Sequence, residues 1–71
     1  MTLTQLKYVI TVAEEKSMNE AAKKLFISQP SLSSAIKEIE EEIGINVFKR
    51  SNKGVIITPE GEEIVGYARK V

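Results

Sequence analysis

The sequence lacks the two residue types on which much enzymatic and metal chemistry in small proteins depends. It contains no Cys and no His in 71 residues. Without Cys there is no disulfide and no thiolate metal site. Without His there is neither a general base that titrates near neutral pH nor an imidazole ligand. We therefore expect no enzymatic activity, no metal site and no cofactor.

Long apolar segments are also missing. No apolar run approaches the roughly 20 residues that cross a bilayer, and the N-terminus lacks the basic and then apolar pattern of a secretion signal. We therefore expect a cytoplasmic protein that does not enter a membrane. A chain of 71 residues forms one domain at most, and a domain of this size buries only about 60% of its unfolded surface.

There is no excess of charge of either sign, since ten basic residues balance ten acidic ones. Taken alone, this balance argues against a nucleic-acid-binding protein, which usually carries a basic patch. The acids, however, cluster at residues 14–15, 38–42 and 60–63, and the bases lie elsewhere. Two basic zones therefore flank the segment that begins at Ser28, and the bases concerned are Lys16, Lys23, Lys24, Lys37 and the group Lys49, Arg50 and Lys53. The alternative interpretation is an ordinary solvated surface.

Two amphipathic segments separated by a short break dominate what the sequence does contain. The first begins at Ser17, where Glu20 completes the pattern of a reciprocal capping box, and it continues through the small pair Ala21 and Ala22. A supporting helix over about residues 4–16 precedes it. Its apolar stripe is Leu6, Val9, Ile10 and Ala13, widened by Leu3, Tyr8 and Val12. Tyr8 and Val12 indicate burial on a second side or a contact with a partner, and ordinary core packing is the favoured interpretation.

The second segment begins at Ser28 and ends before Gly44, a residue suited to the left-handed conformation that terminates helices. The helical period places a buried stripe on one side, namely Leu32, Ala35, Ile36, Ile39 and Ile43. The opposite side carries Pro30, Ser33, Ser34 and Lys37. Helix, tight turn and exposed second helix form a helix-turn-helix. Because Glu40, Glu41 and Glu42 would repel phosphates, only the N-terminal turns of this helix are expected to face DNA.

The remaining residues predict a hairpin followed by a last helix. Residues 47–50 and 55–58 are β-rich and bracket the turn formers 51–54, so that Phe48 and Ile57 face the core and the tip carries Arg50 and Lys53. Such a hairpin is either a DNA-binding wing or a purely structural element. Thr58 and Pro59 then start a helix that is still amphipathic at Val71, and we therefore expect a fragment of a longer protein.

Several of these stretches, taken together, carry a family resemblance across essentially the whole chain. The chain resembles the N-terminal domain of LysR-type transcriptional regulators in residues 21–25, in Ser28-Gln29-Pro30-Ser31-Leu32-Ser33, in residues 36–40 and Gly44, and in Phe48-Lys49-Arg50 and Thr58-Pro59-Glu60-Gly61. The resemblance implies a bacterial winged helix-turn-helix domain. It also implies a following linker helix that dimerises and a larger domain, absent from this chain, that binds a small-molecule effector.

Individual roles transfer only where residues match. The resemblance implies that Gln29, Pro30, Ser31 and Ser33 approach bases or phosphates, and that Lys53 at the wing tip reaches the minor groove. Arg50 matches the family motif, as either a structural residue or a phosphate contact. Ser34 departs from the pattern, because relatives usually carry Arg or a larger polar residue there. Its short side chain shifts base readout to Lys37 or to a bridging water, so specificity does not transfer from relatives.

We therefore predict a mainly α winged helix-turn-helix. Residues 1–58 form the DNA-binding domain, with three helices and a two-stranded wing, and residues 59–71 begin the dimerising linker helix. The predicted function is sequence-specific transcriptional regulation by a homodimer on a pseudo-palindromic operator. The alternative is a winged-helix module that docks a protein on the face of Pro30, Ser33 and Lys37 and binds no DNA.

Overall fold

A computed structural model describes residues 1–70, which form a three-helix core, a two-stranded antiparallel sheet and a fourth helix. In chain order the elements are α1 (Leu3–Glu15), α2 (Met18–Leu25), α3 (Gln29–Ile43), β1 (Phe48–Ser51), β2 (Gly54–Ile57) and α4 (Pro59–Lys70). The predicted mainly α winged fold is confirmed. Val71, the last member of the predicted apolar stripe of α4, lies outside the described residues.

The helix starts differ in detail from the prediction. The complete capping box lies at Thr2, where the Oγ1 atom accepts from the amide of Gln5 and the Gln5 side chain accepts from the amide of Thr2. At Ser17 only half of the predicted box forms, because the Oγ atom accepts from the Glu20 amide but the Glu20 carboxylate does not return to Ser17. That carboxylate instead pairs with Lys23 at 3.2 Å. The Lys23 ammonium, one helical turn after Glu20, thus competes with the Ser17 amide for the Glu20 carboxylate.

Left-handed residues end the first three helices. Gly44, with φ of 72°, ends α3 as predicted, whereas Lys16 and Phe26 adopt φ of 56° and 58° with full side chains. The Phe26 amide still donates to the carbonyls of Ala22 and Lys23, and the residue is 94% exposed. For a bulky L-residue the left-handed conformation costs about 1–2 kcal/mol. Phe26 ends α2 in this conformation three residues before α3 begins at Gln29.

The core lies between the three helices and the sheet. Val12, predicted to be ordinary core, is fully buried, and Tyr8 is partly buried against the same cluster. Ala21 and Ala22 are both buried where α2 meets its neighbours, as their small size predicts. Leu3 is an error of the prediction, since it is 75% exposed. It stands in the first turn of α1 and borders an open groove between α1 and α4.

The buried stripe of α3 matches its prediction at the centre and weakens at the edges. Leu32, Ile36 and Ile39 are buried, whereas Ala35 and Ile43 are only half-buried. Because α3 contacts both α1 and α2 through this stripe, its other side is left free. The fold therefore presents the polar side of α3 to the surroundings.

Helix α4 begins in very close contact with the loop before the wing. A Cβ atom added to Gly61 would lie 2.2 Å from the carbonyl oxygen of Val47, closer than real Cβ atoms come to any backbone oxygen. Thr58 prepares this contact, because its amide donates to the same Val47 oxygen at 2.9 Å and its Oγ1 atom accepts from the Gly61 amide at 2.9 Å. Glycine is needed at position 61 for the approach.

Gly61→Ala should therefore destabilise the domain, by about 1–3 kcal/mol from overpacking. The matched control is Gly66→Ala in the same helix, where an added Cβ meets nothing within 4 Å and should stabilise by roughly 0.5–1 kcal/mol through helix propensity. Urea unfolding followed by helical circular dichroism measures both variants. Equal effects of the two substitutions would show that the Val47 contact is not tight.

Candidate nucleic-acid interface

The N-terminal turn of α3 is fixed by its own serines. The Oγ atom of Ser28 accepts from the Ser31 amide at 3.2 Å and donates to the Ser31 hydroxyl at 2.8 Å. Pro30 occupies the first turn, where a missing amide hydrogen leaves no intrahelical bond unmade. Because Pro30 and Ser31 are exposed and Gln29 is half-buried, the start of this helix is available to a partner.

The predicted polar side of α3 is mostly open. Pro30, Ser34 and Lys37 are exposed, as predicted, whereas Ser33 is half-buried. The Ser33 Oγ atom accepts one hydrogen bond from Gln29 Nε2 at 2.9 Å and a second from the Arg50 guanidinium at 2.5 Å. Ser33 therefore joins α3 to the wing, a link that the periodicity of the sequence does not indicate.

Arg50 is not at the tip of the hairpin, and that part of the prediction is wrong. The register pairs Arg50 with Val55 and Ser51 with Gly54, which leaves only Asn52 and Lys53 in the turn. The strand extends to Ser51 because the Ser51 Oγ atom closes the turn, donating to the Gly54 carbonyl and accepting from the Lys53 amide. Lys53 is at the tip and exposed, as predicted.

The wing is anchored to the end of α1. The Val55 amide donates to the carbonyl oxygen of Lys16 at 2.9 Å, and a Cβ atom on Gly54, where φ is 125°, would lie 2.4 Å from that same oxygen. Phe48 and Ile57, which pair in the register, are partly buried against the core, and this confirms their predicted orientation. The wing therefore has a fixed position beside α3.

Between α3 and the wing lies an open groove of about 450 Å³. Ser33, Ser34 and Lys37 of α3 border one side, and Phe48 and Arg50 of β1 border the other. Of the predicted site residues, Ser33, Ser34, Lys37 and Arg50 border this groove, and Gln29 joins them through its hydrogen bond to Ser33. Lys53 lies beyond the groove at the tip, and Gln29, Pro30 and Ser31 lie at the start of α3.

Cations on the two sides of α3 differ in their partners. Lys23 pairs with Glu20 and Lys24 with Glu15, each at 3.2 Å. Within residues 1–70 no ion pair involves Lys37, Lys49, Arg50 or Lys53. The zone that the sequence predicted at Lys23 and Lys24 is thus locally balanced by acids, whereas the cations on the wing side form no such pairs within residues 1–70.

Glu40 has a role that the sequence did not reveal. Its carboxylate accepts from the amides of Val47 and Phe48 at 2.7 and 3.0 Å. Although we expected it to belong to an acidic end that repels phosphates, Glu40 holds the loop from which the wing starts. Its neighbours Glu41 and Glu42 are exposed. In the sequence, the only sign of this role is a Glu in the last turns of a helix that precedes a β segment, a pattern too common to identify the contact.

Other kinds of site find no support in the described part of the chain. No three side chains among the His, Cys, Asp and Glu of residues 1–70 are grouped so as to hold a metal ion. No helix over the same range is long and apolar enough to cross a bilayer.

These features define a winged helix-turn-helix, and comparison with known proteins gives the family. Residues 3–62 match the model of the bacterial regulatory helix-turn-helix proteins of the lysR family. The chain belongs to this family.

Among similar proteins, the uncharacterised HTH-type transcriptional regulator YkuM of Bacillus subtilis is 44% identical over the whole chain, which corresponds to 24% of YkuM. The HTH-type transcriptional regulator BenM of Acinetobacter baylyi is 45% identical over the whole chain, which corresponds to 23% of BenM. The chain thus spans about a quarter of the length of these relatives. A crystal structure of the BenM DNA-binding domain with catB site 1 DNA superimposes with a TM-score of 0.93 at 46% identity, and it covers 99% of this chain and 79% of that one.

Glu40→Ala should cost about 1–3 kcal/mol of stability, because it leaves the two partly buried amides of Val47 and Phe48 without an acceptor. Glu41→Ala is the matched control, an exposed acid of the same helix, and should stay within about 0.5 kcal/mol of the unmodified chain. Urea midpoints compare the two. A loss at Glu41 as large as that at Glu40 would contradict the bond to the loop.

Proposed function

We propose that this domain binds double-stranded DNA with the N-terminal turns of α3 in the major groove and the wing against the flanking backbone or minor groove. One observation carries the proposal. The exposed polar side of α3 and Arg50 of the wing, which forms no ion pair within residues 1–70, border the same open groove, and Lys53 lies beyond it at the wing tip. Cations without acidic partners are free to neutralise phosphates, and this term dominates the affinity of proteins for DNA.

The proposed roles follow from position. Gln29, Ser34 and Lys37 carry side chains that contact base edges, where hydrogen-bond donors and acceptors distinguish sequence. Pro30 and Ser31 lie at the start of α3 and approach the wall of the DNA major groove. Ser33, which is half-buried, supports this surface from the side that faces the wing. Arg50 donates one N–H to Ser33, and its other N–H groups can donate to phosphate. Lys53 extends toward the DNA from the tip of the wing.

Zero net charge is compatible with this proposal because the charges are segregated. Glu38, Glu41 and Glu42 are exposed toward the C-terminal end of α3, away from its capped start at Ser28. Repulsion from these acids disfavours insertion of that end and thereby sets the orientation of the helix. The alternative of a protein-docking module is disfavoured, because the similar BenM domain is described in complex with DNA.

We propose that in the intact protein this domain is the DNA-binding part of one subunit of a homodimeric transcriptional regulator. Support comes from α4, where Tyr67 is 63% exposed, and from the adjoining apolar groove of Leu3, Leu6, Ile10 and Ala68. A second copy would cover these groups, and two-fold symmetry would require a pseudo-palindromic operator. A footprint of the parent protein confined to one asymmetric half-site would contradict this.

Further elements of the proposal rest on the family. Residues 1–58 would form the DNA-binding unit and residues 59–71 the start of the dimerising helix, and a further domain would bind a small-molecule effector. The relatives are named transcriptional regulators, and we therefore propose a regulator and not an enzyme. We also propose a cytoplasmic location, because bacterial DNA lies there.

Lys53→Ala and Lys37→Ala should impair DNA binding in different ways. The operator would be a duplex selected by the unmodified chain from a random pool, with a scrambled duplex as the reference. Lys53→Ala should weaken both duplexes by a similar factor and lower the salt slope by roughly one unit, the expectation for one lost phosphate contact. Lys37→Ala should instead change base preference, because the major groove carries most sequence information.

Fluorescence anisotropy at several salt concentrations measures both effects. The assignment of helix as reader and wing as clamp is wrong if Lys53→Ala alters discrimination while Lys37→Ala lowers both affinities equally.

A further inference from the structure

Ser33 differs from every other serine on α3 in what its oxygen binds. The Oγ atom accepts from Gln29 Nε2, four residues earlier on the helix, and from Arg50, 17 residues later on β1. A hydroxyl oxygen has two acceptor positions, and both are used. Ser33 therefore has no acceptor left for a donor on DNA, although its own O–H remains. This occupancy argues against direct base readout as its main role.

Arg50 gains most from this arrangement. Its side chain is long, exposed and without an acidic partner in the described residues. Ordering such a side chain at the moment of binding costs affinity. The bond to Ser33 orders it beforehand, and a guanidinium has five N–H donors, so four remain for phosphate. Arg50 is thus held at the edge of the groove with most of its donors free.

Gln29 is held by the same atom. One N–H of its side-chain amide donates to Ser33, so the second N–H and the carbonyl oxygen Oε1 can bind an outside partner. A Gln side chain without such a bond samples several rotamers at the start of a helix. The bond therefore narrows the directions in which Gln29 presents its donor and acceptor.

We infer that Ser33 is a positioning residue whose hydroxyl sets Gln29 of the recognition helix and Arg50 of the wing into one preorganised DNA-binding surface. This inference rests on the proposed DNA-binding function and deepens it. Removal of the hydroxyl releases two side chains in two elements at once. Its effect on binding therefore runs through Gln29 and Arg50 and is not independent of them.

Ser33→Ala should lower affinity for the selected duplex about tenfold, the factor that one charge-assisted hydrogen bond supplies. Ser34→Ala is the matched comparison, because Ser34 is the next residue, exposed, with no side-chain hydrogen bond to any of residues 1–70. Any loss of affinity in Ser34→Ala comes from its own proposed DNA contact, so it should multiply with the loss in Arg50→Ala. Ser33→Thr keeps a hydroxyl and should restore most of the affinity. Urea midpoints of all variants should stay close to that of the unmodified chain.

The decisive comparison is a double-mutant cycle. If Ser33 acts by positioning Arg50 as well as Gln29, Ser33→Ala should weaken binding by a clearly smaller factor in the Arg50→Ala background than in the unmodified chain, and the remaining loss should run through Gln29. If the two losses multiply, Ser33 and Arg50 act independently and the inference is overturned.

A measurement without DNA separates this inference from the proposed function. In NMR spectra of the free chain, Ser33→Ala should shift and broaden the guanidinium signals of Arg50 and the side-chain amide signals of Gln29, and Ser34→Ala should leave both unchanged. Unperturbed signals in Ser33→Ala would overturn the inference even if the chain binds DNA. Failure of the unmodified chain to bind any duplex in a salt-dependent way would instead overturn the proposed function.

Discussion

The arrangement of the whole domain depends on the backbone of one residue, Val47, which lies where α3, the wing and α4 meet. Its amide donates to Glu40 of α3, its carbonyl accepts from Thr58, and Gly61 of α4 packs against that carbonyl. The side chain is fully buried. Three elements are thus fixed by one peptide segment. Two stretches that carry the family resemblance, residues 36–40 and 58–61, therefore meet at this one segment.

Function follows from how this junction orients α3. The helix buries Leu32, Ile36 and Ile39 against α1 and α2, so its opposite side is held outward. Glu40 then fixes the origin of the wing, and the contact of β2 with the Lys16 carbonyl fixes its far strand. The core therefore holds the polar N-terminal turns of α3 and the cationic wing at a fixed distance from each other. A rigid surface of this kind loses little conformational entropy when it binds.

Element types and faces were predictable from sequence because they depend on local period and composition. The helical stripes, the Gly44 terminus, the core-facing orientation of Phe48 and Ile57 and the exposure of Pro30, Ser34 and Lys37 all follow from spacing. Features set by tertiary contact were not predictable. Arg50 lies in β1 because the Ser51 hydroxyl closes the turn, Glu40 binds amides seven and eight residues away, and Glu20 prefers Lys23 to its capping role. The left-handed Phe26 was equally hidden, since nothing in its residue type favours that conformation.

The central claim is that DNA contacts the start of α3 and the wing and leaves the acidic end of α3 free. Backbone amide chemical shifts, recorded while the selected duplex is titrated into the labelled chain, test this most directly. The account predicts that the largest shifts fall on residues 28–37 and 49–54, with little change at Glu41, Glu42 and Tyr67. Shifts concentrated on residues 38–44, or on the groove between α1 and α4, would contradict it.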